Sequence, residues 1–119
     1  MINELEVPAY LHDAFPEIDE KIKMKEKISV YSLMQTLVDF TSQQIQKGNL
    51  NAATKCFKLA DKLYTRGNSA VKNAVDNVFV YSLSNLLGTY PRKRTQLLSV
   101  LPIGIYTLYI QQLKHSGGC

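Results

Sequence analysis

The chain has no tryptophan, and its 119 residues include only two cysteines, four prolines and six glycines. With 45% apolar and 20% charged residues, this composition excludes collagen-like, low-complexity and disordered classes and fits one globular domain. Cys56 and Cys119 lie far apart with no C-x-x-C pair, so neither a redox motif nor a zinc spacing is present. Such sparse cysteine use fits a cytoplasmic location, with Cys56 as a small buried thiol. No apolar run approaches the roughly eighteen residues that a membrane-crossing helix needs. The start, Met1-Ile2-Asn3-Glu4-Leu5-Glu6, is acidic and has no apolar core, which argues against a secretory signal.

Catalytic signatures are missing as well. There is no phosphate-binding G-x-x-x-x-G-K-[ST], no G-x-G-x-x-G, no H-E-x-x-H and no G-x-S-x-G. The two histidines, His12 and His115, sit near opposite ends, and Asp13 beside His12 points elsewhere on a helix. Asp39, Asp61 and Asp76 fall in three different helical stretches, so their spacing predicts no acid–base pair. The expectation is a non-enzymatic chain with no cofactor and no metal.

What is present is helical periodicity. Apolar residues recur at three- and four-residue steps through most of the chain. Pro8 suits the first turn of a short helix carrying Tyr10, Leu11 and Phe15, and Pro16 opens a second segment to about Lys25 with Ile18, Ile22 and Met24 as its contacts. Ser29 caps a helix over about 30–46, and Gly48 ends it. Asn49 caps the next, over about 50–66, with Ala53, Phe57, Ala60 and Leu63 on one stripe; Gly67 ends it and Ser69 is a candidate cap beyond. The stretch 70–87 is the most apolar and reads as a central helix closed by Gly88. Pro91 and Pro102 start two final helices, to about Leu101 and Lys114. A strand around 103–109 is the competing reading there, but one strand alone would leave its backbone groups unpaired. The expected fold is all-α: a compact bundle of about five to seven helices in a single domain, with residues 1–7 and 116–119 frayed.

Two surfaces carry the candidate functional residues. Residues 1–28 hold seven acids against four lysines, a balance of −3, whereas the remainder holds ten basic residues against three acids, a balance of +7. Lys55, Lys58, Lys62 and Arg66 share one helix face, and Arg92, Lys93 and Arg94 begin another helix beside Tyr90. Their functional reading is a partner surface, with phosphate binding as an alternative that should weaken with salt. The bland reading is a solvated helix face. Asn73, Asp76, Asn77 and Tyr81 form a candidate polar cluster on the central helix, which the same bland reading also covers. Tyr106 and Tyr109, three residues apart, are candidate interface anchors, with partial burial in the core as the competing use.

Two resemblances add to this. The stretch from Gln46 to Ala60, with Gly48 at the turn, Leu50 and Phe57 between the helices and Ala53 and Ala60 at the close approach, resembles one tetratricopeptide-like hairpin. Phe15-Pro16-Glu17-Ile18, the Lys47-Gly48-Asn49 turn, Phe79-Val80-Tyr81-Ser82-Leu83-Ser84-Asn85-Leu86-Leu87 and Leu101-Pro102 together resemble an uncharacterised family of small bacterial all-helical proteins. That resemblance spans roughly residues 8–110. It implies a domain of unknown function whose members include immunity-like proteins that neutralise toxins. The basic body departs from the acidic surface of an inhibitor that mimics nucleic acid. The reading is a protein-binding domain with an unidentified protein partner and no membrane; the alternative is a weak nucleic-acid binder.

Overall fold

The computed structural model describes residues 1–23 and 29–116. In chain order the helices are α1 (Val7–Ala14), α2 (Asp19–Lys23), α3 (Val30–Gln46), α4 (Leu50–Arg66), α5 (Ser69–Ala74), α6 (Tyr81–Thr89), α7 (Arg94–Ser99) and α8 (Ile103–Ser116). A π-helical segment, Val75–Val80, joins α5 to α6 without a break, so these three form one rod and the described residues hold seven helices. Short 3-10 turns at Glu4–Glu6, Pro16–Ile18 and Pro91–Lys93 precede α1, α2 and α7. Among the described residues there is no strand, so the helical reading of 103–109 holds.

The α3–α4 hairpin follows from its terminal residues. Ser29 and Ser32 cap α3 reciprocally: the Ser32 amide donates to Ser29 Oγ at 3.1 Å and the Ser29 amide to Ser32 Oγ at 2.9 Å. At the other end Gly48 takes φ +79°, a left-handed conformation that costs a glycine little. That lets the Asn49 amide reach Gln44 O at 2.9 Å and the Gly48 amide reach Ile45 O at 3.0 Å, the paired bonds of a Schellman end. Asn49 then receives the Ala52 amide on its side chain and starts α4.

One hydrophobic cluster runs through the bundle. Phe57 of α4 meets Phe79 of the π segment edge-on at 6.1 Å, and Phe15 lies tilted against Phe40 at 4.6 Å. Leu11, Met34, Leu37, Leu63, Leu83 and Ile105 are fully buried around them. The rod touches α3, α4 and α8, as a wide apolar face requires. Its π turn adds one residue to the helical repeat and rotates the following face by roughly 100°.

Three sequence expectations are corrected. The start of the chain is docked rather than frayed: Ile2 is buried, its amide donates to Arg66 O at 2.7 Å, and the Asn68 amide donates to Ile2 O at 2.8 Å. This is an isolated parallel bridge between Ile2 and Gly67, and a β-carbon on Gly67 would stand 2.3 Å from Leu63 O and 2.6 Å from Val71 Cγ1. Asn68, not Ser69, caps the rod, since its Oδ1 is the atom in reach of the Val71 amide at 3.0 Å. Gly88 does not close the rod, which continues through Thr89. The helix stops at Tyr90 (φ −122°, ψ 65°) because Pro91 disfavours a helical residue before it. The expected contact of Met24, the end of the second segment near Lys25 and the carboxyl-terminal Cys119 lie outside the described residues.

Candidate functional site

The basic residues of α4 are set out by its own repeat. Lys55, Lys58, Lys62 and Arg66 are exposed along a line of about 16 Å, opposite the buried stripe Ala53, Cys56, Phe57, Ala60 and Leu63. α1 lies beside this line and supplies its partners. Lys55 Nζ donates to Ala14 O at 2.9 Å and stands 5.1 Å from the centre of the Phe15 ring. Lys62 Nζ stands 5.0 Å from the Tyr10 ring centre. Lys58 lies between them, exposed. Beyond Lys62, Arg66 borders an open depression of about 440 Å³ shared with Met1, Ile2, Glu6 and Tyr10.

The same pairing recurs elsewhere. Lys21 lies 5.8 Å from the Phe40 ring centre, Lys72 lies 6.0 Å from Tyr64 and Lys93 lies 5.9 Å from Tyr90. Five such contacts exceed the roughly one per 70–80 residues that is usual. By contrast, among the described residues no lysine or arginine is paired with a carboxylate. Aromatic faces and carbonyl oxygens, not carboxylates, are the groups in contact with these ammonium groups. Several of the acids have other partners. His12 Nδ1 and Asp19 Oδ2 share a 2.5 Å hydrogen bond, and Glu6 receives the Asn3 amide at 3.1 Å. Asn68 Nδ2 donates to Glu4 Oε1 at 2.6 Å, which holds the Glu4 carboxyl below the ordinary glutamate range.

The second basic group does not join the first. Lys93 Nζ donates to Ile45 O at 2.7 Å, so it caps the carboxyl end of α3, where the helix dipole favours a cation. It borders a narrow depression with Gly48 and Leu50, next to the hairpin turn, while Arg66 lies at the far end of α4. Arg92 and Arg94 are exposed beside it. The basic group at 92–94 therefore lies beside the start of α4, with Arg66 at the other end of that helix.

The candidate polar cluster is not a pocket. Asn73, Asn77 and Tyr81 face solvent, and Tyr81 is 67% exposed. Half-buried Asp76 points to α8, where Gln112 Nε2 donates to both its carbonyl O and its Oδ1, each at 2.7 Å. Gln112 is a partner that sequence reasoning missed, because nothing in its own helix marks it. Of the two candidate anchors, Tyr109 is buried in the core and Tyr106 is 40% exposed. Cys56 is fully buried, and burial raises its thiol pKa to about 11, an effect that a hydrogen bond with Thr41 opposes. Among the described residues no three His, Cys, Asp or Glu side chains are placed to share a metal ion, and no helix is long and apolar enough to cross a membrane.

Comparison with known families matches a domain of unknown function, DUF7674, over residues 8–116. The chain belongs to that family. The match begins at Pro8 in α1 and takes in both the cationic face of α4 and all of α8. No curated protein and no solved structure matches the chain.

Proposed function

We propose that this DUF7674 domain is a non-enzymatic protein-binding module that presents the α4 face, with its α1 aromatic neighbours, to an acidic surface of a partner protein. The observation that carries the reading is that Lys55, Lys58, Lys62 and Arg66 are exposed on one face with no carboxylate among the described residues in contact. Two of the four are already held over rings, so little rotamer freedom remains to be lost when a carboxylate arrives. Tyr10 adds an amphipathic ring at the same place, a residue type enriched in binding hot spots. An immunity-like role is this reading with a toxin as the partner, and an adjoining toxin gene would support it.

The test is a pull-down from nuclease-treated native lysate, with the intact chain compared with a Lys58→Glu, Lys62→Glu double variant. A stoichiometric protein that the intact chain retains and the variant loses supports the reading. Recovery of no protein partner overturns it.

Nucleic-acid binding is the second reading, and the same exposed charge favours it. It is the weaker one because Lys93 is committed to Ile45 O and no nucleic-acid recognition motif accompanies the charge. Titration with labelled RNA and DNA decides it. Binding at low salt that falls steeply with added salt supports it, and no binding at low salt removes it.

A further inference from the structure

We propose that the face formed by α7 and α8 pairs with the same face of a second copy of this chain, the two α8 helices running antiparallel. Three observations carry this.

α8 has more apolar surface than the core uses. Ile105 and Tyr109 point inward and are buried, with Gln112 tied to Asp76 on the same side. A second stripe, Ile103, Tyr106, Ile110 and Leu113, follows 3-4-3 spacing, the seam of a helix that meets another helix. Ile103 is 80% exposed, Tyr106 40% and Leu113 39%, so these three face outward, while Ile110 between them is half-buried against the core.

The face contains both a protrusion and a hollow. Beside the projecting Ile103 lies an open groove of about 440 Å³ between α7 and α8, lined by Thr95, Leu98, Ser99, Leu101, Ile103 and Tyr106. A two-fold axis sets each surface group against the same patch on the other copy, and a patch with both shapes satisfies that requirement.

α7 from Thr95 and α8 as far as Leu113 also bring no charge of their own to this face. Residues 95–113 include no Asp, Glu, Lys or Arg, in a chain that carries 24 such residues and a net charge of +4. Two copies of a basic chain repel across most of their surface, and any charge near a two-fold axis meets its like. Residues 95–113 bring none to the seam. The flank of Ile103 toward α4, lined by Tyr64, Gly104, Thr107, Leu108 and Gln111, carries one half-buried carboxylate, Asp61 of α4, whose Oδ1 stands 2.6 Å from where a β-carbon on Gly104 would lie. Antiparallel pairing opposes the two helix dipoles and keeps the exposed Lys114 of each copy at opposite ends of the seam. In that register Ile103 of one copy faces Leu113 of the other, and Tyr106 faces Ile110.

The experiment is sedimentation equilibrium of the full chain across a range of concentrations, with Ile103→Asp and Leu113→Lys variants. Ile103 opens α8 and Leu113 lies in its last turn, so each new charge complements the helix dipole and the variants keep their fold, checked by circular dichroism. The expected result is a concentration-dependent dimer for the intact chain and self-association weakened by about tenfold or more in either variant alone. An equimolar mixture of the two variants should re-form a dimer, because it joins Asp at 103 to Lys at 113 across the interface. Lys58→Glu, on the other face, should leave the dimer unchanged. A chain that stays monomeric at every concentration, variants that dimerise as well as the intact chain, or a mixture that fails to restore pairing would each overturn the proposal. So would a monomer that floats with phosphatidylcholine vesicles, which would make the apolar seam a lipid contact.

Discussion

The α4 face and the α7–α8 face cover the same core yet are built by opposite means. On α4, lysines project at helical spacing and neighbouring rings and carbonyl oxygens fix where their charges stand. On α7 and α8, nineteen consecutive residues carry no charge, and the apolar arc is wider than the contact it makes with the core. The contrast teaches that exposure has two meanings in a small bundle. An exposed lysine is ordinary until its neighbours restrict it, whereas an isoleucine 80% exposed beside other exposed apolar residues is apolar surface left in water.

The comparison breaks first at what the two faces share. Phe57 reaches from α4 to Phe79, and Phe57→Ala should cost about 3–5 kcal/mol in urea or thermal unfolding, disordering both faces together. A loss confined to one face would mean that they unfold independently. Gly67→Ala is next, at about 1–3 kcal/mol, because its new β-carbon meets backbone at Leu63 O and the branched Val71. Amide hydrogen exchange should show loss of protection at Asn68, whose amide bonds to Ile2 O, while α8 amides stay protected.

A third prediction concerns the thiol behind the cationic face. Cys56 has its pKa raised in the folded chain from 9.0 to about 11. Its protonated form is therefore the one that folding favours. The corresponding stability is complete below pH 9 and is lost as pH rises from about 9 toward 11. Unfolding followed against pH should show this decline, and Cys56→Ser should flatten it. The smallest effects sharpen the contrast between fixed and free charge. Lys93→Ala should cost about 1 kcal/mol through the loss of its charged hydrogen bond to the Ile45 carbonyl, which keeps only the Gly48 amide, whereas Lys58→Ala should change stability by no more than about 0.5 kcal/mol. Equal costs would erase the distinction drawn between anchored and free cations.

Much of the fold was legible in the residues. Ser29, Gly48, Asn49 and the prolines at 8, 16, 91 and 102 act through bonds to their own neighbours, so the ends of α3 and α4 and the starts of α1, α7 and α8 follow from local chemistry. Gly88 misled because a glycine only permits a helix end, while Pro91 enforces one. The amino-terminal bridge was not legible: Ile2 finds Arg66 and Asn68 across more than sixty residues of sequence, and no spacing rule reaches that far. The candidate site was legible as a list of cations and not as an arrangement. Spacing placed Lys55, Lys58, Lys62 and Arg66 on one face, but it could not separate Lys93 from Arg66 or join Asp76 to Gln112.

The sequence by itself determined which residues turn, which cap and where charge is dense or missing, because each depends on a residue and its near neighbours. Only the tertiary structure decided which ring each lysine rests on, that the start of the chain is tied down, and that a π turn re-phases the central rod. It alone decided that Ile103, Tyr106 and Leu113 of α8 stay exposed while Ile105 and Tyr109 are buried. The physical reason is common to all of these. Helical periodicity fixes which side chains share a face, and packing against distant elements fixes what, if anything, that face meets.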